Sequence, residues 1–209
     1  MDSFPDLSTY KALIFDLDGT LINSMPLHVI AWTTVYKERG YTIDPQIIYD
    51  LGGVSSKDVV IYLKNKGMDV GDIDSFVERK VAAYRAQFNK LKTFPTIEKI
   101  LKDAKDKGKL IAIGTGTQRI NVDSVLDLLN LKNSVDVSVS ANDVKRHKPF
   151  PDTFLKAAEL LNVKPSECVV FEDGPLGIKS ALDGGFDCIE VENGAFKRGI
   201  LKPIQDRGF

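Results

Sequence analysis

The stretch "ALIFDLDGTLINS" (residues 12–24) decides how this chain reads: an apolar run, Ala12 to Phe15, ends on two aspartates, Asp16 and Asp18, followed by Gly19 and Thr20. Four apolar residues in succession read as a strand buried on both faces, and acids directly behind it mark the place where the chain leaves the core. Similar short runs recur at "LIAIG" (110–114), "VDVSVS" (135–140), "CVVFE" (168–172) and "CIEV" (188–191). Between them lie helical patterns: "QRINVDSVLDLLNL", then "PDTFLKAAELLNV" with Pro151 and Asp152 in its first turn, then "PLGIKSALDGGF" with Pro175 at its start. Strands alternating with helices predict a doubly wound, Rossmann-like parallel sheet, an α/β fold.

The interval from Asp16 to Leu110 is too long for one strand-helix-strand unit of ~30 residues and contains no strand pattern. It reads as three amphipathic helices, "PLHVIAWTTVYKERG", "SKDVVIYLKNKG" and "DIDSFVERKVAAYRAQFNKL", before "PTIEKILKDAKDKG" resumes the core. The expected organisation is a core of residues 1–22 and 93–209 with an all-α cap of residues 23–92 inserted directly behind the first motif.

Composition fits a globular enzyme acting on a small molecule. The chain is 43% hydrophobic, and 28 Lys and Arg stand against 29 Asp and Glu without clustering, so no field that would hold nucleic acid or anionic lipid is implied. No apolar segment approaches the ~20 residues of a membrane span, and "MDSFPDLSTYK" lacks the pattern of a secretion signal, so the expectation is a cytoplasmic protein. Cys168 and Cys188 lie in apolar runs and read as packed thiols rather than a disulfide. A core complete within one chain makes a monomer the default.

Ligands of open α/β sheets bind beyond the carboxyl ends of the strands. Four such ends carry polar groups: Asp16 and Asp18 in "FDLDGT", Thr115, Gly116 and Thr117 in "AIGTGTQ", Lys148 in "KRHKPFPDTF", and Glu172 and Asp173 in "VVFEDGPLG". If they converge, at least three carboxylates meet a lysine, hydroxyls and glycine-flanked amides. Crowded carboxylates resist ionisation unless a cation intervenes, and an oxygen set with few charges suits Mg2+ shared with a substrate phosphate. That inventory is a phosphoryl-transfer centre with an aspartate as nucleophile.

In order and character the four motifs resemble those of the haloacid dehalogenase superfamily of phosphohydrolases, in the subgroup whose helical cap follows the first strand. The resemblance covers residues 11–191. It implies that Asp16 attacks phosphorus, that Asp18 protonates the leaving oxygen and then activates water, and that Thr115 and Lys148 hold the phosphoryl oxygens. It also implies Mg2+ on Asp16, Asp18 through its backbone carbonyl, and Asp173, with Glu172 close by. An acid at position 18 working near neutrality needs a raised pKa, for which water exclusion by a closed cap is the expected route. Many relatives have serine where this chain has Gly174, which removes a hydroxyl near the metal.

Within the superfamily the chain is most like sugar-phosphate enzymes, the fructose-1-phosphate and 6-phosphogluconate phosphatases and β-phosphoglucomutase. His28 and Trp32 in "LHVIAW" fall where those groups carry His and Trp, and "LGGVSSKD" resembles the cap loop that reaches substrate. Gly53, Ser56 and His28 from the cap, with Gly116 and Thr117 from the core, are the expected substrate contacts. Trp32 reads first as packing, and Ser56 and Lys57 read equally well as the start of a helix. Ser56 stands where the mutase presents an arginine to a second phosphate; losing that fork favours hydrolysis over phosphosugar mutation. The mutase remains the alternative, and a non-catalytic phosphosugar-binding regulator a third.

Overall fold

The computed structural model describes residues 5–202, and among these it has six strands and eight α-helices. The strands are β1 (Ala12–Phe15), β2 (Leu110–Gly114), β3 (Val137–Val139), β4 (Cys168–Glu172), β5 (Asp187–Glu192) and β6 (Ala195–Leu201), in the sheet order β3-β2-β1-β4-β5-β6. β3, β2, β1, β4 and β5 pair in parallel, and β6 closes the edge antiparallel to β5. The order reverses between β1 and β4, so a crevice is expected where those two strands end.

Strand residues sort by parity, as the two-residue repeat of a pleated strand requires. Leu13, Phe15, Ile111, Ile113, Val169, Phe171, Ile189 and Val191 form one face, packed with Ile97 and Leu101 of α5 (Pro95–Asp106) and Val122 and Val125 of α6 (Arg119–Leu128). Ala12, Ile14, Ala112, Cys168, Val170 and Cys188 form the other, against Phe154 and Ala157 of α7 (Asp152–Leu160) and Ala181 of α8 (Pro175–Asp183). The central strand β1 is fully buried along its length, and the rings of Phe15 and Phe171 stack at 4.6 Å. Truncating either ring to alanine costs about 3–5 kcal/mol. Both cysteines are buried free thiols.

Three features depart from the sequence expectation. β3 is shorter than the run at 135–140. β6 was not expected; it pairs with β5 across Asn193-Gly194, both at positive φ, the geometry of a two-residue hairpin turn. Between α1 (Met25–Lys37) and α3 (Ser56–Asn65) lies an additional short helix, α2 (Pro45–Asp50), opened by Pro45 and capped by the Asp44 carboxylate, which accepts from the Gln46 amide at 2.9 Å.

Helices α1, α2, α3 and α4 (Ile73–Arg85) share an apolar cluster of their own, with Trp32, Val35, Tyr36, Ile48, Val60, Leu63 and Phe76 at its centre. The chain crosses between this layer and the sheet at two adjacent segments. Ile22 bridges antiparallel to Thr93, the Asn23 amide donates to the Lys92 carbonyl, and the Phe94 amide donates to the Leu21 carbonyl. Among the described residues no helix is long and apolar enough to cross a membrane.

Candidate active site

The ends of β1 and β4 bring Asp16 against Glu172 and Asp173, one carboxylate oxygen of each lying within 4.8 Å of the other two. Lys148, carried in from the segment before α7, donates to Asp16 Oδ1 at 2.6 Å and to Glu172 Oε1 at 2.7 Å, and its ammonium lies 4.6 Å from the centre of the Phe154 ring. Asp16 and Lys148 are almost wholly buried. The second Asp16 oxygen, Oδ2, is buried without a hydrogen-bond partner. An orphaned buried carboxylate oxygen is costly, so its persistence beside two further acids points to a group that the site receives.

The electrostatics agree. Burial, reinforced by Glu172, Asp173 and Asp18 against the opposing pull of Lys148, holds the Asp16 carboxyl well above its ordinary pKa. Burial and Glu172 push Asp173 up to about 7. Burial alone would lower Lys148, yet Asp16 and Glu172 hold it above the normal lysine range, so it stays charged. One ammonium faces three acids. The donor set fits a hard divalent cation, which would restore ionisation to the carboxylates. Gly19 permits this packing: its φ is +90°, and a Cβ there would fall 2.3 Å from Asp173 Oδ2. Beside it Thr20 Oγ1 donates to Asp173 Oδ1 at 2.7 Å.

Asp18 meets a different environment. Its Oδ1 accepts from Ser24 Oγ at 2.6 Å and from His28 Nε2 at 2.9 Å, and its Oδ2 accepts from Thr117 Oγ1 at 2.7 Å, with Thr115 Oγ1 at 3.4 Å. Burial would raise its pKa, but His28 first, then the hydroxyls of Ser24 and Thr117, hold it well below the usual carboxylate range. The expected raised pKa is therefore reversed: closing the helical layer over Asp18 does exclude water, and it also surrounds the carboxylate with donors that stabilise its charge.

His28 comes from α1, and behind it Lys80 of α4 places Nζ 2.9 Å from His28 Nδ1. The proton arrangement that satisfies all three groups has Lys80 donating to Nδ1 and Nε2–H donating to Asp18, with a neutral imidazole. Burial, together with the Lys80 charge, lowers the His28 pKa accordingly. Tyr84 stacks on the imidazole at 3.9 Å, and Lys80 lies over the Trp32 ring at 4.8 Å. Burial brings the Lys80 pKa down to about 8.

Of the residues expected to touch substrate, His28 and Thr117 both bond Asp18 directly. Gly53 lies over the core site, where a Cβ would meet Lys148 Cδ at 3.1 Å and Glu172 Oε1 at 3.5 Å. Gly116 lies beneath that loop; a Cβ on it would be 2.3 Å from the Gly53 carbonyl oxygen. A Cβ at Gly174 would approach the Gly52 carbonyl oxygen at 3.2 Å, so the glycine at this position matches a close approach of backbone from the helical layer. Ser56 and Trp32 line the enclosed space with His28, Lys80 and Thr115. Lys57 faces away and pairs with Asp74 at 2.6 Å.

Sequence reasoning missed Lys80, Ser24 and Thr20. Lys80 had a signal: with Phe76, Val77 and Tyr84 it falls on the buried stripe of α4, where an unpaired lysine would not be tolerated. Ser24 sits at the N-cap of α1 yet makes no capping bond, its hydroxyl being committed to Asp18.

Comparison with known proteins matches this architecture. The profile of the haloacid dehalogenase-like hydrolase family aligns with residues 13–191. A fructose-1-phosphate phosphatase of Escherichia coli, YqaB, is 33% identical over 87% of this chain and 96% of its own length. A phosphorylated carbohydrates phosphatase of Thermotoga maritima is 30% identical, covering 86% of this chain and 83% of its own length. Among solved structures, β-phosphoglucomutase from Clostridium difficile superposes with a TM-score of 0.78 at 26% identity, over 89% of this chain and 88% of the other. With its β1 and β4 acids, threonine and lysine assembled at one crevice, the chain belongs to the haloacid dehalogenase-like hydrolase family and is a phosphoric monoester hydrolase.

Proposed function

We propose that the protein is a Mg2+-dependent phosphatase of small phosphorylated sugars, of the fructose 1-phosphate or 6-phosphogluconate type, working through a phosphorylated Asp16. The observation that carries this reading is the contrast between the two aspartates of "DLDGT": Asp16 keeps an unpartnered buried oxygen beside Lys148, whereas Asp18 is saturated by donors, two of them from the cap-side segment. A nucleophile needs a free oxygen, and a proton carrier needs fixed partners.

In this mechanism Asp16 Oδ2 attacks phosphorus, and Lys148 and Thr115 hold the phosphoryl oxygens. Asp16, Glu172 and Asp173 would hold the cation, which supplies charge neutralisation at the transferring phosphoryl group. Asp18 passes a proton to the leaving sugar oxygen and then takes one from the water that cleaves the aspartyl-phosphate. Its depressed pKa suits the second task; for the first, His28 and Lys80 supply a bonded line of protonated nitrogen behind it.

Residues 23–92 act as a cap over the core of residues 1–22 and 93–209. Between them, the space beside Asp18 and Thr115 is about 40 Å3, against the 300 Å3 or more of an ordinary small-molecule pocket, so the cap opens there to admit substrate. Gly53 and Ser56 then face the sugar. The cations and acids lining that space favour hydrolysis over mutation: Lys80 is the one cation among the described lining residues, it is occupied by His28, and no arginine is present for a second phosphate.

Phosphate release should be measured across a panel of sugar monophosphates with and without Mg2+. The expected result is Mg2+-dependent turnover favouring ketose phosphates or phosphorylated sugar acids. Conversion of glucose 1-phosphate to glucose 6-phosphate faster than phosphate appears would overturn hydrolysis as the main reaction.

A further inference from the structure

Two spaces at the active site, one bordering Asp18 and the other Asp173, differ in size by an order of magnitude. The space on the Thr115 and Lys80 side is about 40 Å3 and is lined by the Gly52-Gly53 backbone. A second cleft, of about 500 Å3, reaches Asp173 and runs between α2 and the turn that joins β5 to β6. Gly19 and Asp173 line that cleft, and Gly174 and Pro175 continue the wall.

Of the three clustered acids, Asp16 and Glu172 are 1% exposed, whereas Asp173 is only partly buried. Asp173 is thus the carboxylate that solvent reaches, from the cleft side. The missing side chain of Gly19 keeps the passage to its oxygens open. No lysine or arginine is among the described residues lining the cleft. The lining offers the amides of Asn23, Gln46 and Asn193, and the acids Asp50 and Glu192. Glu192 pairs with Lys197 at 2.7 Å, while Asp50 Oδ1 accepts from the Gln46 side-chain amide at 2.9 Å. A cleft whose charges are of one sign concentrates cations and raises their association rate.

The geometry points to a separate entrance for the divalent cation: it reaches Asp16 through the α2 and β5–β6 cleft, past Asp173, while the sugar phosphate enters from the cap side. This rests on the reading of Asp16, Glu172 and Asp173 as the cation site. Its consequence is that the cation exchanges with solvent while the cap is seated.

A passage and a binding site leave different kinetic signatures. Narrowing a passage slows entry and exit by the same factor and leaves the equilibrium unchanged, whereas altering ligands changes the dissociation constant. Gln46 and Tyr49 are exposed on the cleft wall, so both tolerate replacement. The test is stopped-flow binding of Tb3+, read by its luminescence, with Asp16→Asn as the control that removes the site.

In Gln46→Trp the association and dissociation rates should fall together, in Tyr49→Ala both should rise together, and Kd should hold in each. The Asp50→Asn, Glu192→Gln double variant should lower the association rate about tenfold at low ionic strength, an effect that disappears in high salt. Tb3+ rates unchanged by all three variants would overturn the separate entrance while leaving the cation site standing. Absence of Tb3+ binding in the wild type, or binding unaffected by Asp16→Asn, would overturn the cation site and the entrance with it.

Discussion

The two sides of this active site are built in opposite ways. On the sheet side, Glu172 ends β4, and Asp16, Thr115 and Lys148 lie in segments that follow parallel strands, so their positions are set by a ladder whose inner strand is fully buried. On the helical side, His28 and Lys80 project from the buried faces of two helices, and the remaining contacts come from the backbone of Gly52 and Gly53. The sheet side presents charged groups for chemistry, and the helical side saturates one carboxylate and closes the volume. In the proposed mechanism, chemistry is thereby anchored on the sheet, and proton handling is placed on the helical side.

That division predicts a gradient of effects. The largest belongs to the sheet side: Asp16→Asn should reduce phosphate release by on the order of 10^4-fold or more with the circular dichroism spectrum unchanged. Retained turnover would mean that the nucleophile lies elsewhere. Next, chelation of divalent cations should abolish hydrolysis, with full return on adding Mg2+, while the thermal unfolding profile keeps a single transition; an unaffected rate would remove the cation from the sheet side.

The helical side should cost less. His28→Asn and Lys80→Met should each lower kcat by roughly 10^2-fold, the range of a proton-transfer contribution, with Tb3+ affinity preserved. Losses as deep as that of Asp16→Asn would erase the distinction between the two sides. Gly116→Ala should be milder, raising KM by pushing the Gly53 carbonyl away and leaving the cap less well seated; an unchanged KM would show that the close approach there has no bearing on closure.

The smallest effect is on stability. Lys80 titrates near 8 in the folded chain against 10.5 for the free side chain, so between those values the unfolded chain binds more protons and stability rises with pH. The shift corresponds to about 3 kcal/mol carried by the charged form at neutral pH. Lys80→Met should therefore show a stability advantage over wild type that is largest below pH 8 and narrows toward pH 10.5, measured by urea unfolding. A gap independent of pH would place the cost in packing rather than in charge.

The same contrast explains what the sequence revealed. Strand-end motifs are short, contiguous and chemically unusual: "DLDGT" behind "ALIF" and "ED" behind "CVVF" announce acids where a core ends. The β5–β6 hairpin was also legible in "ENGA", since Asn-Gly is the residue pair that a tight turn demands, although the polar strand after it hid the signal. Lys80 was written in the sequence as a lysine on an apolar stripe, but its meaning depends on His28, fifty-two positions earlier in the chain, and on the angle at which α1 meets α4. The seating of Gly53 on Gly116 leaves no residue pattern at all, because it is contact between main-chain atoms. Partners fixed by tertiary geometry are invisible to spacing.

The glycine seam has one more consequence. Because Gly52 and Gly53 meet Gly116 and Gly174 through backbone rather than side chains, the fit of lid to base is independent of which residues surround it. Ser56 and Ile48 line the adjoining space and are not among the nearest atoms in that fit. Under the proposed function, their replacement would therefore change which sugar phosphate is accepted while the seating of the loop and the catalytic groups stay as they are.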